Sequence, residues 1–383
     1  MTLPVAQEPD LATFEEELRW LVNIDSGSRC VAGVNTVADW FGARYRAMGW
    51  PVEEVAAEPG RYGKSLYTWR GDRTRLDLLI LCHSDTVFPE GTARERPFAV
   101  SAGRYHGPGV ADMKAGCLMA LHTLERLVRQ GRLEGNVGVL LNGEHELSCP
   151  TVRPYLEACC RQAKVVIATE PARAQGACVR QRKGILRYTL RFHGRAAHAG
   201  VNPEAGLCAV TEMARMILRL RTLADPERGI SVNPGLVSGG VSVNAIPHEA
   251  ECQLDVRVTQ LEDAGRVDAQ IRAWAAEPAE SGVRVELEGG ITRPPMVPTA
   301  RGDALIEAIN QLAREHGIEL KWAFSGGGSD ASFASPHGVP ALCGMGPVGG
   351  GMHTADEYVD TRDLPARLKL FDDVVAGICS GKL

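Results

Sequence analysis

The sequence predicts an α/β domain built on a mainly parallel sheet and interrupted by a smaller α+β domain. Three apolar runs without polar alternation carry the first part: residues 76–82 (LDLLILC), 137–141 (VGVLL) and 164–168 (KVVIA). Strands that are apolar on both faces and alternate with helical patterns belong to a sheet covered on both sides. The insertion rests on residues 186–192 (LRYTLRF) and 250–258 (AECQLDVRV), which alternate apolar and polar with period two. That is the pattern of strands with one solvated face.

Taken in order, residues 13–22 and 34–48 read as amphipathic helices ahead of the first apolar strand. Residues 113–128 place Leu118, Leu121, Leu124 and Val128 on one helical face between the first two strands. Helical patterns around 207–223 and 261–276 accompany the alternating strands. After Pro294-Pro295 the chain returns to a helix at 304–316 and a short strand at 341–345. A chain of 383 residues is too long for one core and sufficient for two domains. The expected division is 1–179 with 297–383 as the α/β domain and 180–296 as the insertion.

Composition narrows the function. Hydrophobic content of 44% with 23% charged residues is that of a soluble globular protein, and a net charge of −5 gives no footprint for a polyanion. Nucleic acid is therefore not an expected partner. The N-terminal MTLPVAQEPDLATFEEELRWL has no basic segment followed by an apolar one, as a secretory signal would. No stretch reaches the roughly 20 apolar residues needed to span a bilayer, so no membrane association is expected. Eleven scattered cysteines without a CxxC pair read as reduced thiols, which points to the cytoplasm.

Polar residues follow each apolar strand, where an open α/β sheet places its ligands. His83-Ser84-Asp85 follows the first; an imidazole and a carboxylate two apart in extended chain share a face, so the carboxylate can orient the imidazole towards a metal. HGPGVADMKAG presents Asp112 at the mouth of a helix, where it could equally cap the backbone. The second strand ends in Glu144-His145-Glu146, in isolation a polar loop. The third leads to Glu170 in TEPA, and GPVGGGMHTADEY places His353 after a glycine-rich turn. Two histidines and three carboxylates suit zinc or another divalent first-row ion, with cobalt or manganese as alternatives. Five ligands are one too many for a single tetrahedral ion, and a shared carboxylate makes them a two-metal hydrolytic site.

HSDTV, HGPGVADMKAG, GEHEL, TEP, GRAAHAGVNPEAG, GGVSVNAIP, SGGGSDA and GPVGGGMHTADEYV resemble, in order, the motifs of the dizinc metallopeptidase family that contains bacterial glutamate carboxypeptidases, acetylornithine deacetylase and succinyl-diaminopimelate desuccinylase. The likeness spans nearly the whole chain and is nearest to the glutamate carboxypeptidase branch. It implies a catalytic domain with an inserted lid or dimerisation domain, two Zn2+, a homodimer, and a small amide or peptide substrate. By position, His83, Asp112 and Glu170 would hold one zinc with Asp112 bridging, Glu146 and His353 would complete the second, and Asp85 would orient His83. His198 resembles the histidine that reaches the partner subunit's site to polarise the scissile carbonyl. Asn244 and Arg257 resemble substrate-binding residues, although alone they read as a turn residue and an exposed strand residue. Arg293 in TRPP could hold a substrate carboxylate or lie at the surface of a domain boundary, and the glycine turn around Gly327 offers backbone N–H groups at the substrate end.

One position departs from the family pattern. The middle of the 144–146 triplet is there a glutamate acting as general base; here it is His145. A neutral imidazole can take a proton from water, but the resulting cation would sit beside two dications, which weakens it as a base. Three outcomes stay open: an amidohydrolase with His145 as base, an amide-forming or acyl-transfer enzyme on the same site, or a binder of metal and amide ligand without turnover. A shift of register that makes Glu144 the base requires local rebuilding.

Overall fold

The computed structural model describes residues 8–55, 58, 60–279 and 281–383. The first seven residues, part of the N-terminal stretch read above, lie outside the described residues. The chain divides into two compact units: one of residues up to Gln181 with Pro298–Phe324 and Ser329–Leu383, the other of Arg182–Val297 with Ser325–Gly328. The glycine loop Ser325–Gly328 therefore groups with the inserted segment, although it lies beyond it in sequence.

The first unit is α/β with a mainly parallel central sheet. Its six strands run in the order Val52–Val55, Ser65–Arg70, Val137–Asn142, Leu76–His83, Ala163–Ala168, Ala341–Leu342. The last four pair in parallel and the first two antiparallel. Leu76–His83 and Val137–Asn142 are buried almost throughout, which is why they read as unbroken apolar runs. Register decides the function of this sheet. His83 lies opposite Asn142, and Leu81 lies opposite Ala168. The segments that follow all three strands therefore emerge at one edge.

Helices Leu11–Val22, Val31–Ala47, Ala115–Arg129, Ala300–Glu315 and Leu364–Cys379 close the core with Phe14, Phe41, Leu121, Ile309 and Phe371 against Leu78, Ile80 and Ile167. Fully burying a side chain such as Phe371 contributes roughly 1.5–3 kcal/mol. Of the helix starts that differ from the sequence reading, two are set by their caps. Asp10 accepts the Thr13 N–H at 3.1 Å, and Thr299 Oγ1 accepts the Gly302 N–H at 3.0 Å, so each helix begins at its cap, at Leu11 and Ala300.

The second unit is a four-stranded antiparallel sheet in the order Ser231–Gly239, Glu249–Val258, Gly184–His193, Arg284–Arg293. Leu186, Tyr188, Leu190 and Phe192 alternate inward with Leu254 and Val256, packed against helices Ala209–Arg221 and Leu261–Ala276. The helix expected from residue 207 starts at Ala209 because Leu207 exchanges backbone hydrogen bonds with Arg195. No described helix is long and apolar enough to cross a membrane, and the eleven cysteines are free thiols.

Candidate functional site

The parallel edge brings together every residue expected to bind metal. His83 ends its strand, 1% exposed, with Nε2 3.1 Å from Asp112 Oδ1 and 3.9 Å from Glu170 Oε1. His353 Nε2 lies 3.3 Å from Asp112 Oδ2 and 3.4 Å from Glu146 Oε1. Asp112 thus turns one oxygen to each imidazole. Donor atoms of His83, Asp112 and Glu146 lie within 4.8 Å of one another, as do those of His83, His145 and Glu170. Against the cost of burial, hydrogen bonds from His353 and His83 hold the Asp112 carboxyl well below the usual range. Hydrogen bonds to Asp112 and Glu146 push His353 up to about 10. A buried imidazole, a half-exposed one and carboxylates facing one small volume fit divalent ions with nitrogen and oxygen ligands.

One distant segment, which carries His353 and Glu357, reaches Asp112 through a small second sheet. Strand Arg104–His106 pairs with Tyr358–Asp360, with His106 opposite Tyr358. That register sets Glu357 beneath the 109–112 turn and His353 in the loop above it. The Glu357 carboxylate accepts N–H groups from Gly109 at 3.0 Å, Ala111 at 2.8 Å and Asp112 at 2.9 Å. Burial pushes the Glu357 carboxyl up to about 7 despite those three donors. Asp112 and Met113 keep non-helical backbone, so the helix expected from 113 begins at Ala115.

Asp85 is fully buried and holds more than His83. His83 Nδ1 is 2.9 Å from the Asp85 backbone carbonyl and 3.5 Å from its carboxylate, so the carbonyl is the nearer acceptor. The carboxylate accepts Ser28 Oγ–H at 2.7 Å and the N–H groups of His145 at 3.1 Å and Glu146 at 3.0 Å. The triplet is therefore anchored by its backbone to the end of the neighbouring strand. Gly143 makes this possible, because a Cβ there would stand 2.5 Å from the Lys64 carbonyl.

The three members of the triplet face different ways. Glu144 receives the N–H groups of Thr151 and Val152 and the Thr151 hydroxyl, and burial raises its carboxyl. Its side chain caps the following turn, which leaves Glu144 poorly disposed to act as base. Glu146 faces His353. The His145 ring stacks on His83 with centroids 4.1 Å apart and planes at 5°, and its Nε2 lies 3.6 Å from Glu170 Oε1. A cavity of about 440 Å³ opens beside Glu146, lined also by Arg29, Val87, Phe88 and Leu147.

The remaining expected residues lie in the second unit. His198 is exposed, and the backbone beside it pairs with that beside Asn244: Ala199 N–H donates to the Asn244 carbonyl at 2.9 Å. Arg257 pairs with Asp255 at 2.6 Å and donates to the Gly326 carbonyl at 3.2 Å. Arg293 is 5% exposed, hence not a surface residue, and stands against Gly328, where a Cβ would meet it at 2.8 Å. Arg182, which the sequence reading did not single out, donates to the carbonyls of Gly327 at 3.2 Å and Gly328 at 2.9 Å. The glycine loop thus turns carbonyls towards Arg182 and Arg257, while the Gly327 N–H goes to Ser325 Oγ.

A parallel-sheet edge that gathers two imidazoles and three carboxylates from separate segments, in a chain with an inserted antiparallel unit, defines a metallopeptidase-type amidohydrolase. The chain belongs to peptidase family M20/M25/M40, whose model matches residues 79–377. It is 29% identical over 374 residues to carboxypeptidase G2 of Pseudomonas sp. (strain RS-16), covering 95% of this chain and 89% of that protein. It is 25% identical to the acetylornithine deacetylase of Proteus mirabilis (strain HI4320) over 399 aligned residues, covering 96% and 97%. Its fold superimposes on an M20 family metallo-carboxypeptidase from Sulfolobus solfataricus with a TM-score of 0.76 at 17% identity, covering 98% and 100%.

Proposed function

We propose that this enzyme cleaves the amide bond of N-acyl amino acids or small peptides that carry a free carboxylate, using two divalent ions, zinc in the first instance. The observation that carries the reading is the convergence of His83, Asp112, Glu146, Glu170 and His353 on one sheet edge, with the two Asp112 oxygens facing different histidines. His83 and Glu170 would hold one ion, Glu146 and His353 the other, and Asp112 would join them. Such ions, when bound, polarise the scissile carbonyl and make water a better nucleophile.

The chain's own residues supply the proton path and the orientation. His145 takes a proton from the attacking water and returns it to the leaving amine. Asp85 fixes both the His83 ring, through its carbonyl, and the His145–Glu146 backbone, through its carboxylate. Arg257 and Arg293 near Gly327, together with Asn244 and the newly found Arg182, would bind the substrate's carboxylate end, a role that suits arginine forks. His198 would polarise the scissile carbonyl in a partner subunit. That reading requires a homodimer, which the free edge of strand Ser231–Gly239 supports: Leu236 is 63% and Val237 57% exposed. Residues 1–179 and 297–383 would then be the catalytic domain and 180–296 the lid.

The His145 position favours one second reading, amide formation or acyl transfer, in which weak activation of water is an advantage. One experiment separates them. Metal-loaded protein is assayed on a panel of N-acyl amino acids for release of free amine, and on amine and acyl donor for condensation. Hydrolysis with about two bound ions per chain is the expected result. Condensation without hydrolysis selects the second reading, and a protein that binds no divalent ion excludes both.

A further inference from the structure

We propose that Asp330 is the positioning residue of a His145–Asp330 dyad that replaces the single carboxylate base of the family. The inference rests on the reading of His145 as base and adds the residue that makes such a base workable. His145 Nδ1 lies 2.9 Å from Asp330 Oδ1, while Nε2, at the opposite corner of the ring, faces Glu170. Asp330 is 4% exposed and is itself held: Asn142 Nδ2–H donates to its Oδ2 at 2.7 Å and Cys149 Sγ–H to its Oδ1 at 3.3 Å. Asn142 ends the strand opposite His83, so the aspartate is fixed to the same sheet edge as the metal-binding residues.

The arrangement answers the difficulty that a histidine at this position raises. A carboxylate accepting from Nδ1–H puts the imidazole proton on Nδ1 and leaves the Nε2 lone pair facing the site. Neutral His145 with ionised Asp330 carries one negative charge, as a lone glutamate would. When water gives up its proton, the O–H bond breaks and an Nε2–H bond forms. The hydroxide adds to the carbonyl carbon, and the pair becomes neutral overall instead of an isolated cation. When the C–N bond breaks, the Nε2 proton passes to the amine nitrogen and the dyad returns to its starting charge. Throughout, the Nδ1–H stays bonded to Asp330, the part that the aspartate of a Ser-His-Asp triad plays.

The dyad predicts that substitutions at 145 and 330 reverse each other's sign. Asp330→Asn turns an amide N–H towards Nδ1, which favours the tautomer with the proton on Nε2 and removes the lone pair from water. We expect kcat to fall about 10²–10³-fold, with KM within a few-fold and metal content unchanged. His145→Glu alone sets two buried carboxylates face to face and should also lose activity. In that background Asp330→Asn should raise kcat, because it removes the repulsion and supplies a donor. A merely structural Asp330 would cost the same in both backgrounds, and that result overturns the proposal. So does a wild-type kcat in Asp330→Asn.

A second measurement needs no turnover. In 15N-histidine NMR of the metal-loaded protein, the His145 signals, identified by their loss in His145→Gln, should be those of an Nδ1-protonated ring. They should change in both Asp330→Asn and Asp330→Ala. A wild-type ring protonated on Nε2 alone overturns the dyad whatever the enzyme turns over. A protein that hydrolyses no N-acyl amino acid but shows the Nδ1–H ring refutes the proposed reaction and leaves the dyad standing.

Discussion

The two units hold their functional side chains in opposite ways. At the parallel sheet edge of the first unit, His83, Asp85, Glu144 and Asp330 are buried and bonded into a network that joins residues 83–85, 142–151 and 330. In the second unit His198 and Asn244 are exposed and owe their positions to backbone pairing between two loops. Buried networks are costly to leave half satisfied, so removing one member of the first arrangement is expected to be costly. The second leaves its side chains available to something outside the unit. The difference teaches that the first unit holds these side chains by its own buried bonds, whereas the second leaves His198 and Asn244 open to contact from outside it.

The largest break in this comparison should come from Asp112→Ala. It removes the carboxylate common to both histidines, so elemental analysis should show the loss of both ions and hydrolysis should vanish. Retention of one ion with partial activity would mean that Asp112 does not bridge. Next in size is His198→Ala, expected to lower kcat about 10²-fold if it stabilises charge on the scissile carbonyl. Val237→Lys, on the exposed edge strand, should shift light-scattering mass from dimer to monomer and lower activity with it. A monomer of full activity would end the cross-subunit role. Asp85→Asn should cost about 10–100-fold in metal affinity or activity, as orienting groups behind a metal site do. A change confined to thermal stability would assign Asp85 a folding role only.

The smallest effect concerns the second unit alone. Asp263 is buried, yet hydrogen bonds from Arg228 and Arg266 hold its carboxyl below the ordinary value. A depressed folded-state value contributes stability that is present above the unfolded value, about 3.9, and is lost as pH falls through the lowered one. Both arginines are half exposed, so the contribution is modest, about 1 kcal/mol. Asp263→Asn should lower the melting temperature by a few degrees at pH 7, and the gap to wild type should close as the pH drops below about 4.

Much of this was legible from local pattern. The period of the apolar residues separates the two sheets, and the strand-end rule finds His83, the 144–146 triplet and Glu170 without any contact being known. What local pattern cannot show is which distant residue a side chain meets. Asp330, at the start of a short helix, reaches His145 across 185 positions, and Glu357 reaches Asp112 across 245 through the register of Tyr358–Asp360. Each stands inside a motif already singled out, SGGGSDA and MHTADEY, and an ionisable residue next to a metal- or substrate-binding position was the available signal. Arg182 had no such signal; its burial comes from the return of Ser325–Gly328 to the inserted unit.

The Glu357 carboxylate, bonded to three amides of the 109–112 turn, ties the loop of Asp112 to the loop of His353 during folding. Ordering backbone costs on the order of 1–2 kcal/mol per residue, and here that cost falls on folding and not on the capture of an ion. For the residues so held, the capture of an ion costs the stripping of water from the cation and the displacement of protons from imidazole.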